Sequence, residues 1–132
     1  MKQSDRNTII KYRMSRANET LREIDILIEN QLWNTAINRL YYACFYAVSA
    51  LLLSNKINAH THTGTRQMFG LHFIKSGVID KELGRYYSNI FDKRITGDYD
   101  DFIDYEKGDV LTLLKPAHEL ILEISKLIRK PL

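Results

Sequence analysis

The chain has 132 residues, 45% hydrophobic and 27% charged, with a net charge of +3. That size and balance predict one globular domain with one core, residues 1–132. The basic residues are scattered, which excludes a polybasic nucleic-acid arm, and the single Cys44 excludes an internal disulfide.

Taken in chain order, helical periodicity dominates. Ile10, Met14, Ala17, Leu21, Ile24 and Ile28 step by three and four, predicting an amphipathic helix from about Ser4 to Glu29. A polar turn, Glu29-Asn30-Gln31, follows. The second helix runs from about Trp33 to Ser54 and is apolar nearly all round, so it should be the most buried. Its unbroken apolar stretch, Tyr41 to Leu53 with Ser49 counted, is 13 residues, short of the ~20 that cross a bilayer. A reducing cytoplasm without membrane attachment is the expected location. Residues 55–64 read as a connection, and a third helix covers about Thr63 to Ser76 with Gly77 as its stop. Asp80 is the expected N-cap of a fourth helix from Lys81 to about Thr96, ended by Gly97. A fifth helix begins between Asp98 and Glu106 and reaches Arg129, with Pro116 predicting a kink or break. The fold class is all-α: an antiparallel up-and-down bundle of about five helices.

That topology carries a prediction. The third helix should start, and the fourth end, at the end where the second helix finishes. His60, His62 and Arg66 would then meet Arg94, Asp98, Tyr99, Asp100 and Asp101. Arginines beside imidazoles suit an anion, because a guanidinium offers two parallel donors and histidine titrates near neutrality. Arg94, Asp98, Arg66 and His62 are therefore the candidate anion-binding set. Asp98 and Tyr99 also admit structural roles, as a helix cap and a core aromatic. Asn38 and Arg39, at the start of the apolar helix, should lie at the far end from Arg94. They are read as a structural pair, with Asp80, Glu82, Glu119 or Glu123 as the partner of Arg39, or as the lining of a groove. No metal is expected, because two loop histidines without further ligands do not make a site, and no cofactor fingerprint occurs. The cluster Tyr41, Tyr42, Phe45 and Tyr46 reads as core and interface.

Three segments together, AINRLYYACFYAVSALL, HTHTGTRQMFGLHFIKSGVIDKELGR and RITGDYDDF, resemble the HEPN superfamily, the higher eukaryote and prokaryote nucleotide-binding domain. The likeness spans Trp33 to Phe102 and is nearest to the small stand-alone bacterial and archaeal branch. It implies a helical homodimer that binds RNA or a nucleotide, or pairs with a minimal nucleotidyltransferase, in a toxin–antitoxin or defence system. Active members of the superfamily are metal-independent ribonucleases with an Arg, four to six residues, then a His. Here Arg94 matches the Arg and Tyr99 stands where the His is expected. A phenol with pKa near 10 is a poor base at pH 7, which weakens the expectation of catalysis. The resemblance leaves Arg94, Tyr99 and His62 as the catalytic candidates, Tyr99 as a candidate modification site, and a non-catalytic interaction module as the alternative. Arg66 and His72 also have the bare spacing, but stand about 240° apart round one helix.

Overall fold

The computed structural model describes residues 1–99 and 103–129, with Tyr99 represented by its backbone alone. Five helices account for the secondary structure of the described residues: α1 (Gln3–Glu29), α2 (Trp33–Ser54), α3 (His62–Phe69), α4 (Lys81–Tyr99) and α5 (Lys107–Arg129). α3 runs on into a single π-helical turn, Gly70–Ile74. The all-α bundle expected from periodicity is the observed fold.

α2 is the hub, packed on α1, α4 and α5. Ala36, Leu40, Tyr41, Ala43, Cys44, Ala47 and Val48 have no exposed surface. The whole helix is long and apolar enough to cross a membrane by length and composition. Most of that apolar surface is instead covered by its neighbours, where each buried leucine, isoleucine or valine stabilises the fold by about 1.5–3 kcal/mol.

The long helices alternate in direction. Arg13 of α1 donates to the Ser49 carbonyl at 3.3 Å, and the Arg16 guanidinium lies over the Tyr46 ring. Numbers thus rise along α1 as they fall along α2. α4 ends beside the start of α2, where Asn38 Nδ2 donates to Asp98 Oδ1 at 3.2 Å. α5 begins at that same end, because the Tyr105 amide just before it donates to Asn34 Oδ1 at 2.8 Å.

Here the structure corrects the expected topology. Residues 55–61 do not turn α3 back from the end of α2. They climb along α2, so that the His62 ring lies 4.4 Å from that of Phe45. Ser54 to Phe45 is about 14 Å along the helix axis, within the ~23 Å that seven extended residues span. The cause is apolar: Ile57 and Ala59 pack against the core, and the Ile57 amide donates to the Leu52 carbonyl at 2.9 Å. α3 therefore runs in the same sense as α2 and antiparallel to α4, with Arg66 opposite Asp92 and Phe69 against Tyr87.

Other boundaries follow local chemistry. Asp80 caps α4, accepting from the Glu82 amide at 3.0 Å. Gly77 has φ +82° and turns the chain after the π turn. Gly97 does not end α4; the Tyr105 ring packs so close that a Cβ there would meet it at 3.1 Å. Nor does Pro116 break α5, which is continuous to Arg129. Buried Leu113 and Ala117 on either side of it pin both halves to the core.

Candidate functional site

The polar groups converge at the end of the bundle where α2 begins. α2 presents Asn34, Asn38, Tyr41, Tyr42 and Phe45 at intervals of three and four, which puts them on one face. α4 brings Arg94 and Asp98, one turn apart, to that face. α3 brings His62 as its first residue, oriented by Thr61, whose side chain accepts from the Gly64 amide at 2.8 Å.

Tyr41 is the centre of the arrangement. It is fully buried, its hydroxyl lies 2.8 Å from His62 Nδ1, and the Arg94 guanidinium sits 4.9 Å above its ring. Burial pushes the Tyr41 phenol up to about 12, against the opposing influence of the Tyr87 hydroxyl and Arg94. The phenol therefore keeps its proton at neutral pH. That proton needs an acceptor, since buried donors are almost always paired. The Tyr87 hydroxyl approaches Tyr41 as a donor, the sense in which it opposes the shift, so His62 Nδ1 is the acceptor left for Tyr41 among the described residues. Donor accounting thus makes Tyr41 the donor and leaves the His62 proton on Nε2. Burial, then the neighbouring Arg94 charge, lowers the His62 pKa. His62 is accordingly a neutral imidazole offering an N–H, rather than a base offering a lone pair.

Arg94 is held from beneath by aromatic rings, Tyr41 and Tyr42, and its side chain is 11% exposed. Its Nη1 meets Asp98 Oδ2 at 3.4 Å, a long contact at the edge of useful geometry. Asp98 also accepts from Asn38, and Asn38 Oδ1 in turn accepts from Arg39 Nε at 3.1 Å and Nη2 at 2.9 Å. The Arg39 guanidinium covers the Tyr42 ring at 4.8 Å. Two guanidiniums, Arg94 directly and Arg39 through Asn38, stand by the carboxylate of Asp98, with the His62 ring near Arg94, so the cluster favours an anion.

Arg39 is the largest correction. It was expected at the far end, near Asp80, Glu82, Glu119 or Glu123; it stands with Arg94, because α4 ends where α2 begins. Arg66 lies to one side, 3.6 Å from Asp92 and 4.2 Å above the Phe91 ring. Its charge reaches Tyr41. His60 and His72 are exposed. The Tyr99 side chain, Asp100 and Asp101 lie outside the described residues. No group of three or more metal-ligating side chains occurs among the described residues.

Sequence reasoning missed two residues. Tyr41 was placed in the core without a polar role. Asn34 was not singled out, yet its Nδ2 donates to the Ile103 carbonyl at 3.2 Å and its Oδ1 accepts from the Tyr105 amide, tying the chain entering α5 to the cleft. The available signal was their shared helical face with Asn38.

A family model described as HEPN domain matches residues 10–127. The chain is similar to a UPF0332 protein of Thermotoga maritima, 38% identical over 125 residues that make up 95% of each chain. It is also similar to a protein of Methanocaldococcus jannaschii named "Putative toxin MJ0142", 34% identical over 113 residues, 86% of this chain and 77% of the other. A second protein of that organism, "Putative toxin MJ0605", is 40% identical over 83 residues, 63% of this chain and 62% of the other.

Proposed function

Because the chain belongs to the HEPN domain family, we propose that the cleft of Arg39, Arg94 and His62 binds the phosphate of RNA or of a nucleotide, in a toxin–antitoxin or defence setting. The observation that carries this is the convergence of Arg94 and His62 on one buried phenol, Tyr41. Arg94 is held by rings with only a long bond to Asp98, so a phosphate oxygen can compete for it. The Nε2–H of His62 supplies a neutral donor beside it. Two relatives carrying a toxin name are in keeping with the setting. A second copy of the chain facing the cleft, or a minimal nucleotidyltransferase docked on it, fits the same reading.

A second reading, metal-independent RNA cleavage, is favoured by the same pair of residues: Arg94 would stabilise charge on phosphorus and His62 would transfer a proton. The tautomer argues for the first reading, since a ring with Nε2 protonated can donate but not abstract.

The test is titration of the protein with AMP and with short single-stranded RNA at about 50 mM salt, where phosphate contacts are strong. Saturable binding is expected, reduced roughly 10- to 150-fold in Arg94→Ala, as for loss of a charged hydrogen bond worth about 1.5–3 kcal/mol. The same RNA incubated with EDTA reports cleavage. Absence of saturable binding by the folded wild type would refute the proposal and leave an interaction module.

A further inference from the structure

A second recess lies on the other side of α4. The outer faces of α3, the π turn and α4 enclose a groove of about 570 Å³, within the size range of small-molecule sites. It is separate from the cleft: at 100° per residue, Lys81 and Arg85 of the groove stand about 140° and 180° round α4 from Arg94.

Its walls depart from the most stable helical sequence in three places. Gly84 has a packing reason, since a Cβ there would meet Ile74 side-chain atoms at 2.9 Å. Gly70 has none. Its φ is an ordinary −60°, and a Cβ built on it would meet nothing within 4 Å. Glycine is the poorest helix-interior residue apart from proline, so Gly70 weakens the helix and leaves open space in the groove. The third departure is the π turn, closed by the Lys75 amide on the Gly70 carbonyl at 2.9 Å. Both its ends, Gly70 and Ile74, line the groove, and such turns concentrate at functional sites. At Gly70 a local cost with no return in packing marks a place kept for something other than stability.

The lining is two-sided. Phe69, Ile74 and Tyr87 make an apolar floor, and Arg66, Lys81 and Arg85 contribute three cations against the carboxylate of Asp92. Asp92 is engaged with Arg66, and Arg85 with the exposed Glu82. Lys81 is exposed at one end of the groove.

We propose that this α3–α4 groove is a binding site for a small amphipathic anion. The apolar body, a ring or short alkyl group, enters over Gly70 against Phe69 and Ile74, and its phosphate or carboxylate meets Lys81 and Arg85. The site is independent of the cleft and of the function proposed for it.

The test is an amide-resolved NMR titration of the full chain with 1-naphthyl phosphate, with 1-naphthol and inorganic phosphate as separate arms. Saturable shifts are expected at Gly70, Gly84 and Ser88, and each half-ligand should bind at least tenfold more weakly. Gly70→Ala should raise Tm by a few degrees, because nothing obstructs its methyl. Gly70→Leu should remain helical by circular dichroism yet bind 1-naphthyl phosphate at least tenfold more weakly, and a Lys81→Glu/Arg85→Glu double variant should do the same. Wild-type shifts that fail to saturate, shifts confined to Asn38 and Asp98, or a Gly70→Leu variant that is folded and binds as well as wild type would each overturn the proposal.

Discussion

Replacing Tyr41 by Phe isolates the hydroxyl on which the cleft geometry turns. The ring stays, so the contacts with Phe45, Tyr87 and Phe91 are kept, as is the aromatic face beneath Arg94. What goes is one 2.8 Å hydrogen bond to His62. A neutral bond of this kind contributes about 0.5–1.5 kcal/mol net; His62 is only half-buried, so water can reach the freed Nδ1 and the loss should stay near 1 kcal/mol. For a chain of this length that lowers Tm by roughly 3–5 °C. Truncation to Ala, by contrast, would remove a fully buried ring at about 3–5 kcal/mol, a large share of the ~5–15 kcal/mol that holds a domain together. The informative assay is long-range ¹H–¹⁵N correlation of the His62 ring in wild type and Tyr41→Phe. Wild type should show Nε2 protonated and Nδ1 bare, and the variant a mixture of the two tautomers. RNA or AMP affinity should fall even though Arg94, Arg39 and His62 all remain. If the ring nitrogens look the same in both proteins, or wild type shows the proton on Nδ1, then Tyr41 does not set the tautomer and the argument for His62 as a donor fails.

Two further outcomes follow from the same geometry. The folded His62 pKa is lowered by burial and by Arg94, so the unfolded chain takes up that proton first. Stability from this group should be fully present above the unfolded value near 6.5 and be lost as pH falls through the folded value; Arg94→Met should raise the His62 pKa in an NMR titration, and an unchanged value would contradict the placement of the charge. Asn34→Ala removes both hydrogen bonds to the Ile103 carbonyl and the Tyr105 amide, and should cost about 1–2 kcal/mol, with faster hydrogen exchange at the Tyr105 amide and little change at Leu120 in mid-α5; equal rates in both proteins at Tyr105 would show that Asn34 does not anchor this segment.

How much of this was readable in the sequence depended on the range of the physics involved. The spans of α1 and α2 follow from apolar spacing because a helix is a local object, and Gly77 and Asp80 mark the turn between the π segment and α4 through short-range backbone chemistry. The π turn was not readable, since nothing local in Gly70-Leu71-His72-Phe73-Ile74 separates a π turn from a continuing α-helix. Gly97 misled for a similar reason: it reads as a stop, and it is a clearance for the Tyr105 ring.

The placement of the cleft shows how one connection decides a site. With residues 55–61 treated as a plain turn, His62 and Arg94 meet at the end where α2 finishes, and Arg39 is stranded at the other. The conclusion that His62 and Arg94 are neighbours survives with the wrong end attached. Counting helix ends fixes only whether two segments share an end; it takes the length and burial of each connection to say which end. Ile57 and Ala59 held the missing information, because two apolar residues in a seven-residue connection must find a surface, and the flank of α2 was the nearest one. Once the connection climbs, α3 and α2 descend together, α4 must ascend to lie antiparallel to both, and its last turn delivers Asp98 to Asn38. The arginine near the start of the most apolar helix is then explained by its neighbours: Arg39 bonds Asn38 and stacks on Tyr42, one residue chain away from Arg94.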